Sequence, residues 1–90
     1  MKFPSIDDFN NVLSDINKYI HKTPIVSSSS LNKTYSSNIF FKLELFQKTG
    51  SFKTRGAINK LLKLSDSERD KGVITISAGN HAQAISWACS

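Results

Sequence analysis

The sequence predicts an α/β fold built on an open parallel sheet. Helical and extended patterns alternate along the chain. A short unbroken apolar run, Val73–Ser77, suits a strand covered on both faces. Two glycine-containing turns each stand between a predicted strand and a predicted helix. The 90 residues fall below the usual domain size of roughly 100–150. Two parallel strands and three helices do not close a layered sheet, and the last strand would present an unpaired edge. The chain is therefore read as the N-terminal part of a larger α/β domain, incomplete in this chain, either a truncated product or a piece of an interrupted gene. Residues 1–22 form a covering helix and residues 23–90 begin the α/β body.

Each element has a local reason. Ser5 can cap a helix running to Ile20, with Asp8 as its capping-box partner and Asp7 and Asp8 at the anion-favouring end. Ile6, Phe9, Leu13, Ile16 and Ile20 recur at spacings of three and four, one apolar stripe that needs a body to cover. Pro24 forbids helix before it, and Ile25–Val26 suit a short extended segment. The serines Ser27–Ser30 form either a loop or the cap of a short helix through Tyr35. In "NIFFKLELF", Asn38–Phe46, alternation of Ile39, Phe41, Leu43 and Leu45 predicts a strand. "QKTG" turns the chain at Gly50. Ser51 then caps a helix to about Leu64 with Ala57, Ile58, Leu61 and Leu62 inward. Glycine inside a helix is unfavourable by about 1 kcal/mol against alanine, so Gly56 predicts a close backbone approach. The polar stretch "SDSERDKG" closes on Gly72, a helix stop. After Val73–Ser77, "AGN" turns into a last helix.

Composition narrows the function classes. The net charge of +5 is scattered, with no basic run or patterned basic helix, so no nucleic-acid partner is expected. The single cysteine, Cys89, excludes an internal disulfide and a cysteine-based zinc site, and reads as a small buried apolar residue in a reducing compartment. No metal site is expected. "MKFPSIDDFN" lacks the apolar core of a secretory signal, and no apolar run approaches the roughly 20 residues that span a bilayer. A cytoplasmic protein without membrane contact follows by default.

The two glycine-containing turns carry the chemistry. In open parallel sheets ligands gather beyond the carboxyl ends of the strands, so "QKTGSFK" and "SAGNHAQ" are expected to open onto one crevice. "SAGN" offers successive backbone N–H groups at a helix start, an anion cradle for a carboxylate or phosphate, with the Ser77 hydroxyl and Asn80 amide beside it. An ordinary strand-to-helix turn capped by Asn80, with His81 on the surface, is the competing reading. Lys53 sits two residues past Ser51, where the helix field opposes an ammonium; Lys48 and Arg55, if close, push the same way. A lysine held neutral can attack a carbonyl, so the placement suits a nucleophile. A solvated lysine on a helix remains the alternative from physics alone.

Taken together, "KTGSFKTRGA" and, a helix and a strand later, "SAGNHAQA" resemble the fold type II (tryptophan synthase β-like) pyridoxal-phosphate enzymes. The chain looks most like the threonine dehydratases (threonine ammonia-lyases) and the related serine racemases, from about Thr23 to its last residue. "TPI" and "FFKLELFQKTGSFK" belong to the likeness. The resemblance implies pyridoxal 5'-phosphate as cofactor, an amino acid as substrate and relatives that form homo-oligomers. By matching position, Lys53 corresponds to the family's Schiff-base lysine, and Phe52 to a residue packing by the cofactor. Asn80 corresponds to the partner of the ring's phenolic oxygen. Ser77, Ala78, Gly79, Asn80 and His81 correspond to the holders of the substrate carboxylate. Lys48, Thr49 and the serines near Ser28 match positions that bind a nucleotide activator in some relatives.

The implied reaction removes the α-proton with Lys53 and expels hydroxide from the β-carbon. Threonine or serine thus yields a 2-oxo acid and ammonia. A serine that serves the racemases as a second acid/base is alanine here, Ala78, which favours dehydratase over racemase. Other fold type II lyases and a non-catalytic remnant are the alternatives. The family's glycine-rich phosphate loop and the group facing the pyridine nitrogen belong downstream of residue 90. These 90 residues alone are therefore expected to hold the cofactor weakly and to turn over no substrate.

Overall fold

The computed structural model describes residues 2–90; Met1, the first residue of the expected covering segment 1–22, lies outside them. Helix α1 spans Ile6–Ile16. Its capping box is made as the sequence predicts: the Asp8 N–H donates to Ser5 Oγ (3.2 Å), and the Ser5 N–H donates to Asp8 Oδ2 (2.7 Å). Those hydrogen bonds to Ser5 hold the Asp8 carboxyl below its ordinary range. The helix stops four residues short of Ile20. The chain turns after Asn17 so that the His21 backbone can meet the Gln47 side chain, a tertiary bond that outweighs the weak propensity for one more turn. Of the stripe, Ile16 is buried against the body while Ile6, Phe9 and Leu13 remain exposed.

Strand β1 (Ile25–Ser27) pairs antiparallel with β2 (Phe40–Lys42), with Val26 opposite Phe41. Between them α2 (Ser29–Tyr35) is capped by Ser28, and Ser36 leaves it in the left-handed region at φ 49°. Asn32 ties this excursion shut by accepting from the Ile39 N–H (2.8 Å) and donating to Ser27 Oγ (2.9 Å). The predicted strand Asn38–Phe46 is cut to three residues. At Glu44–Phe46 the chain winds into a 3-10 turn, because the Glu44 side chain is drawn inward to Arg55 rather than alternating to solvent.

Helix α3 (Lys53–Leu62) buries Thr54, Ala57, Ile58 and Leu61, close to the expected inner face. Gly56 is exposed, and a β-carbon there would meet nothing within 4 Å, so the expected close approach is not made. A short helix α4 (Asp66–Asp70) interrupts the polar stretch, with a second capping box between Ser65 and Glu68. Gly72, at φ +77°, ends it. Val73–Ser77 pairs with no strand among the described residues, and Ile74 and Ile76 are 96% and 97% exposed. The one sheet described is thus the antiparallel β1–β2 pair, and the expected parallel sheet is not assembled. Helix α5 (Asn80–Cys89) packs on α3 and seals Ala84 between them. Cys89 is exposed, not buried.

The result is an open body. The radius of gyration is 16.3 Å, against about 12 Å for a compact chain of this length. Apolar side chains that a core would normally take lie on its surface. None of the described helices is long and apolar enough to cross a membrane.

Candidate active site

The loop from Gln47 to Phe52 is fixed from both sides before it reaches Lys53. Gln47 is 4% exposed. Its amide accepts from the His21 N–H (2.8 Å) and the Lys48 N–H (3.0 Å), and donates to the His21 carbonyl (3.0 Å). His21 Nδ1 adds a bond to the Phe46 carbonyl (3.1 Å). The turn closes with the Gly50 N–H on the Gln47 carbonyl (2.8 Å). Gly50 sits at φ +74°, where a side chain is strained. On the other side Thr54, fully buried, donates to the Ser51 carbonyl (3.0 Å) and lies 2.6 Å from Thr49 Oγ1.

Ser51 does not cap α3 as the sequence predicts. Phe52 occupies the cap position without a side-chain bond, and Ser51 Oγ is buried with no partner. The boundary moves because Thr54 already claims the Ser51 carbonyl and turns the hydroxyl inward. Lys53 is the first residue of α3 and is exposed. Its Nζ stands 5.6 Å from the Phe52 ring centroid, and among the described residues no carboxylate or carbonyl accepts from it. Phe52 itself is 64% exposed.

Arg55 is not aimed at Lys53. Its Nε and Nη2 donate to Glu44 Oε2 (2.9 Å) and Oε1 (2.8 Å), and Thr23 Oγ1 donates to the same Oε1 (2.6 Å). The expected push of Arg55 on the Lys53 amine is therefore compensated by an adjacent anion. These Arg55 hydrogen bonds hold the Glu44 carboxyl down at about 2. Burial works against them, and the Thr23 hydroxyl, the Arg55 charge and the Gln47 amide add to them. Thr49 and Ser28, expected near a nucleotide, are committed to Thr54 and to the α2 cap, while Lys48 is exposed.

The second loop is simpler. Ser77 Oγ accepts from the Gly79 N–H (3.2 Å), which uses one donor of the expected cradle. Asn80 begins α5, and no side chain caps that helix, so the first-turn N–H groups are available to an anion. Ser77, Ala78, Gly79, Asn80 and His81 are all exposed. The two loops are related through their helices. The carboxyl ends of α3 and α5 line one open groove of about 530 Å³, with Leu61, Leu62, Leu64, Val73, Ala88 and Cys89 in its wall. The two helices also pack along one another and do not merely touch at that groove. Lys53 and Asn80 therefore stand at the same end of the α3–α5 pair.

Sequence reasoning missed the residues that hold these loops. Gln47 and Thr54 carry no signal beyond being polar. The Glu44–Arg55 pair spans 11 positions, and its partner Thr23 lies further still.

Known proteins resemble this chain in sequence and in fold. The family described as "Pyridoxal-phosphate dependent enzyme" matches residues 16–90. A serine racemase from Schizosaccharomyces pombe is 49% identical over 82 residues, 91% of this chain and 25% of that protein. An L-threo-3-hydroxyaspartate ammonia-lyase from Saccharomyces cerevisiae is 48% identical over 85 residues, 94% of this chain and 26% of that protein. Among solved structures, the processed form of threonine deaminase isoform 2 from Solanum lycopersicum superposes with a TM-score of 0.74 at 37% identity, covering 96% of this chain and 25% of that one. The chain thus spans about a quarter of the length of the curated relatives it matches. A lysine opening one helix, an asparagine opening the helix packed beside it, and a family match running through both loops lead to one conclusion: the chain belongs to the fold type II pyridoxal-phosphate-dependent enzymes.

Proposed function

We propose that this chain carries the lysine-bearing part of a dehydratase that converts L-threonine or L-serine to a 2-oxo acid and ammonia. The observation that carries the reading is the Lys53 amine, without an acceptor among the described residues, on the first turn of α3 and at the same end as Asn80. The residues present fit one face of the cofactor. Phe52 offers an exposed ring beside the amine, Asn80 offers an uncommitted amide, and Ser51 Oγ is a buried donor with no partner beneath the loop. Pyridoxal phosphate, when bound, supplies an electron sink for the pair left at the substrate's α-carbon.

The rest is the work of this chain's residues. The Asn80 amide would donate to the phenolic oxygen of the bound cofactor. The N–H groups and hydroxyl of Ser77 through His81 hold the substrate carboxylate at the positive end of α5. Lys53, as a free amine, would take the α-proton, and the ammonium so formed would be the proton source for the departing hydroxyl. Residues 23–90 act as the start of the α/β body and the segment ending at residue 22 as its cover, with only Ile16 of the α1 stripe seated.

Serine racemase is the second reading, favoured by the names of most of the similar proteins, the fission-yeast relative among them. Racemisation needs a second proton carrier on the face of the α-carbon opposite Lys53. Ala78, at the position where the resemblance puts the racemases' serine, has no ionisable group. The test is to supply the protein, as its gene encodes it, with pyridoxal phosphate and L-threonine or L-serine. Keto acid, ammonia and the chirality of residual serine are then measured. The expected result is a 2-oxo acid with ammonia in equal amount and little D-serine. D-serine as the main product would replace the dehydratase reading with the racemase one.

A further inference from the structure

Between the two ends of the body sits an ion pair that the chemistry above does not use. The planar Arg55 fork meets both oxygens of Glu44 at 2.8 and 2.9 Å, and Thr23 Oγ1, itself 3.5 Å from Arg55 Nη2, closes the third side at 2.6 Å. The pair is largely covered, with side chains 26% and 16% exposed, and Thr23 is buried. Lys42 Nζ reaches the Thr23 carbonyl at 3.3 Å. Three distant stretches thus meet on the first turn of α3: the chain entering β1, the 3-10 turn after β2, and the helix carrying Lys53.

Arg55 follows Lys53 by two residues, so the two side chains leave α3 about 200° apart. A bidentate fork resists rotation of the helix about its axis in a way that a single hydrogen bond does not. A 30° rotation would swing a group about 5–6 Å from the axis by roughly 3 Å. Reacting atoms must meet at about 3–3.5 Å, where a 1 Å error can lower a rate a hundredfold. We propose that Glu44, Arg55 and Thr23 are positioning residues: their clamp sets the rotation of α3, aims Lys53, and keeps the Arg55 charge compensated on the same helical turn. The inference rests on the reading of Lys53 as the reacting amine.

The test measures pyridoxal-phosphate labelling of Lys53, trapped with borohydride and read by peptide mass, against Lys60 on the same helix as internal reference, across pH. The native protein is expected to label Lys53 well ahead of Lys60. Glu44→Gln and Arg55→Gln should each lower the limiting Lys53 rate at least about tenfold. The pH of half-maximal labelling should move in opposite directions. It should move down when Glu44→Gln leaves the Arg55 cation uncompensated, and up when Arg55→Gln leaves the Glu44 anion uncompensated. Mere loss of packing would shift both the same way. If Glu44→Gln loses its helix signal by circular dichroism, Thr23→Val, which keeps the volume, is expected to give a smaller fall in rate. Native labelling no faster at Lys53 than at Lys60 would overturn the reading of Lys53 itself. Preferential native labelling that the folded variants leave unchanged, or midpoints that move together, would overturn the clamp alone.

Discussion

Removing the Gln47 side chain should loosen the site loop without melting α3. Gln47→Ala deletes three hydrogen bonds, two to the His21 backbone and one to the Lys48 N–H, at 2.8, 3.0 and 3.0 Å. Each is worth about 1 kcal/mol net. His21 and Lys48 lie at the surface, so water recovers part of the loss, leaving about 2 kcal/mol of local stability. That is roughly a 30-fold change in an opening equilibrium. Amide hydrogen exchange by NMR reads it directly. Protection of the His21 and Lys48 amides should fall about 30-fold, while Ile58 and Leu61 inside α3 change far less. Gln47→Glu keeps the acceptor and loses the donor, so its effect should lie between. Unchanged protection at His21, or an equal fall across the whole chain, would refute the assignment of Gln47 as a local tether.

Other consequences follow from the same bonds. Glu44 is held at about 2 in the folded chain against an ordinary 4.5, so its contribution is complete above pH 4.5 and fades as pH falls toward 2. It amounts to at most about 3 kcal/mol, reduced by partial solvent screening. Acid titration followed by circular dichroism should show this loss in native protein and not in Glu44→Gln. Thr54→Val keeps the shape of a fully buried side chain but removes the hydroxyl that bonds the Ser51 carbonyl and the Thr49 hydroxyl, leaving the carbonyl only the longer bond from the residue 54 N–H (3.4 Å). Denaturant unfolding should show a loss of about 1–3 kcal/mol.

What can be read from the sequence is what is decided locally. The Ser5–Asp8 capping box is complete within four residues and is legible there; the Ser65–Glu68 box obeys the same spacing but hides inside a polar stretch. Lys53 and Asn80 stand out at helix starts because each turn carries its own glycine. The failures lie where distant groups decide. Alternation through Leu45 predicts a strand, but Glu44 answers to Arg55 and the strand ends at Lys42. The sheet is legible only in part: Val73–Ser77 has the composition of a buried strand and pairs with no other described residues, so the antiparallel β1–β2 pair is the one part of the expected incomplete sheet that is formed. Residue type alone places Gly56 and Cys89 in tight or buried surroundings, and both are exposed.

The central claim is that the amine at position 53 is the one that reacts with the cofactor's aldehyde. Incubating the protein with pyridoxal phosphate, reducing with borohydride and mapping the peptides tests it most directly. The account predicts a pyridoxyl group on Lys53 in clear preference to Lys48, Lys60 and Lys63. A label spread evenly over those lysines, or missing from Lys53, would contradict it.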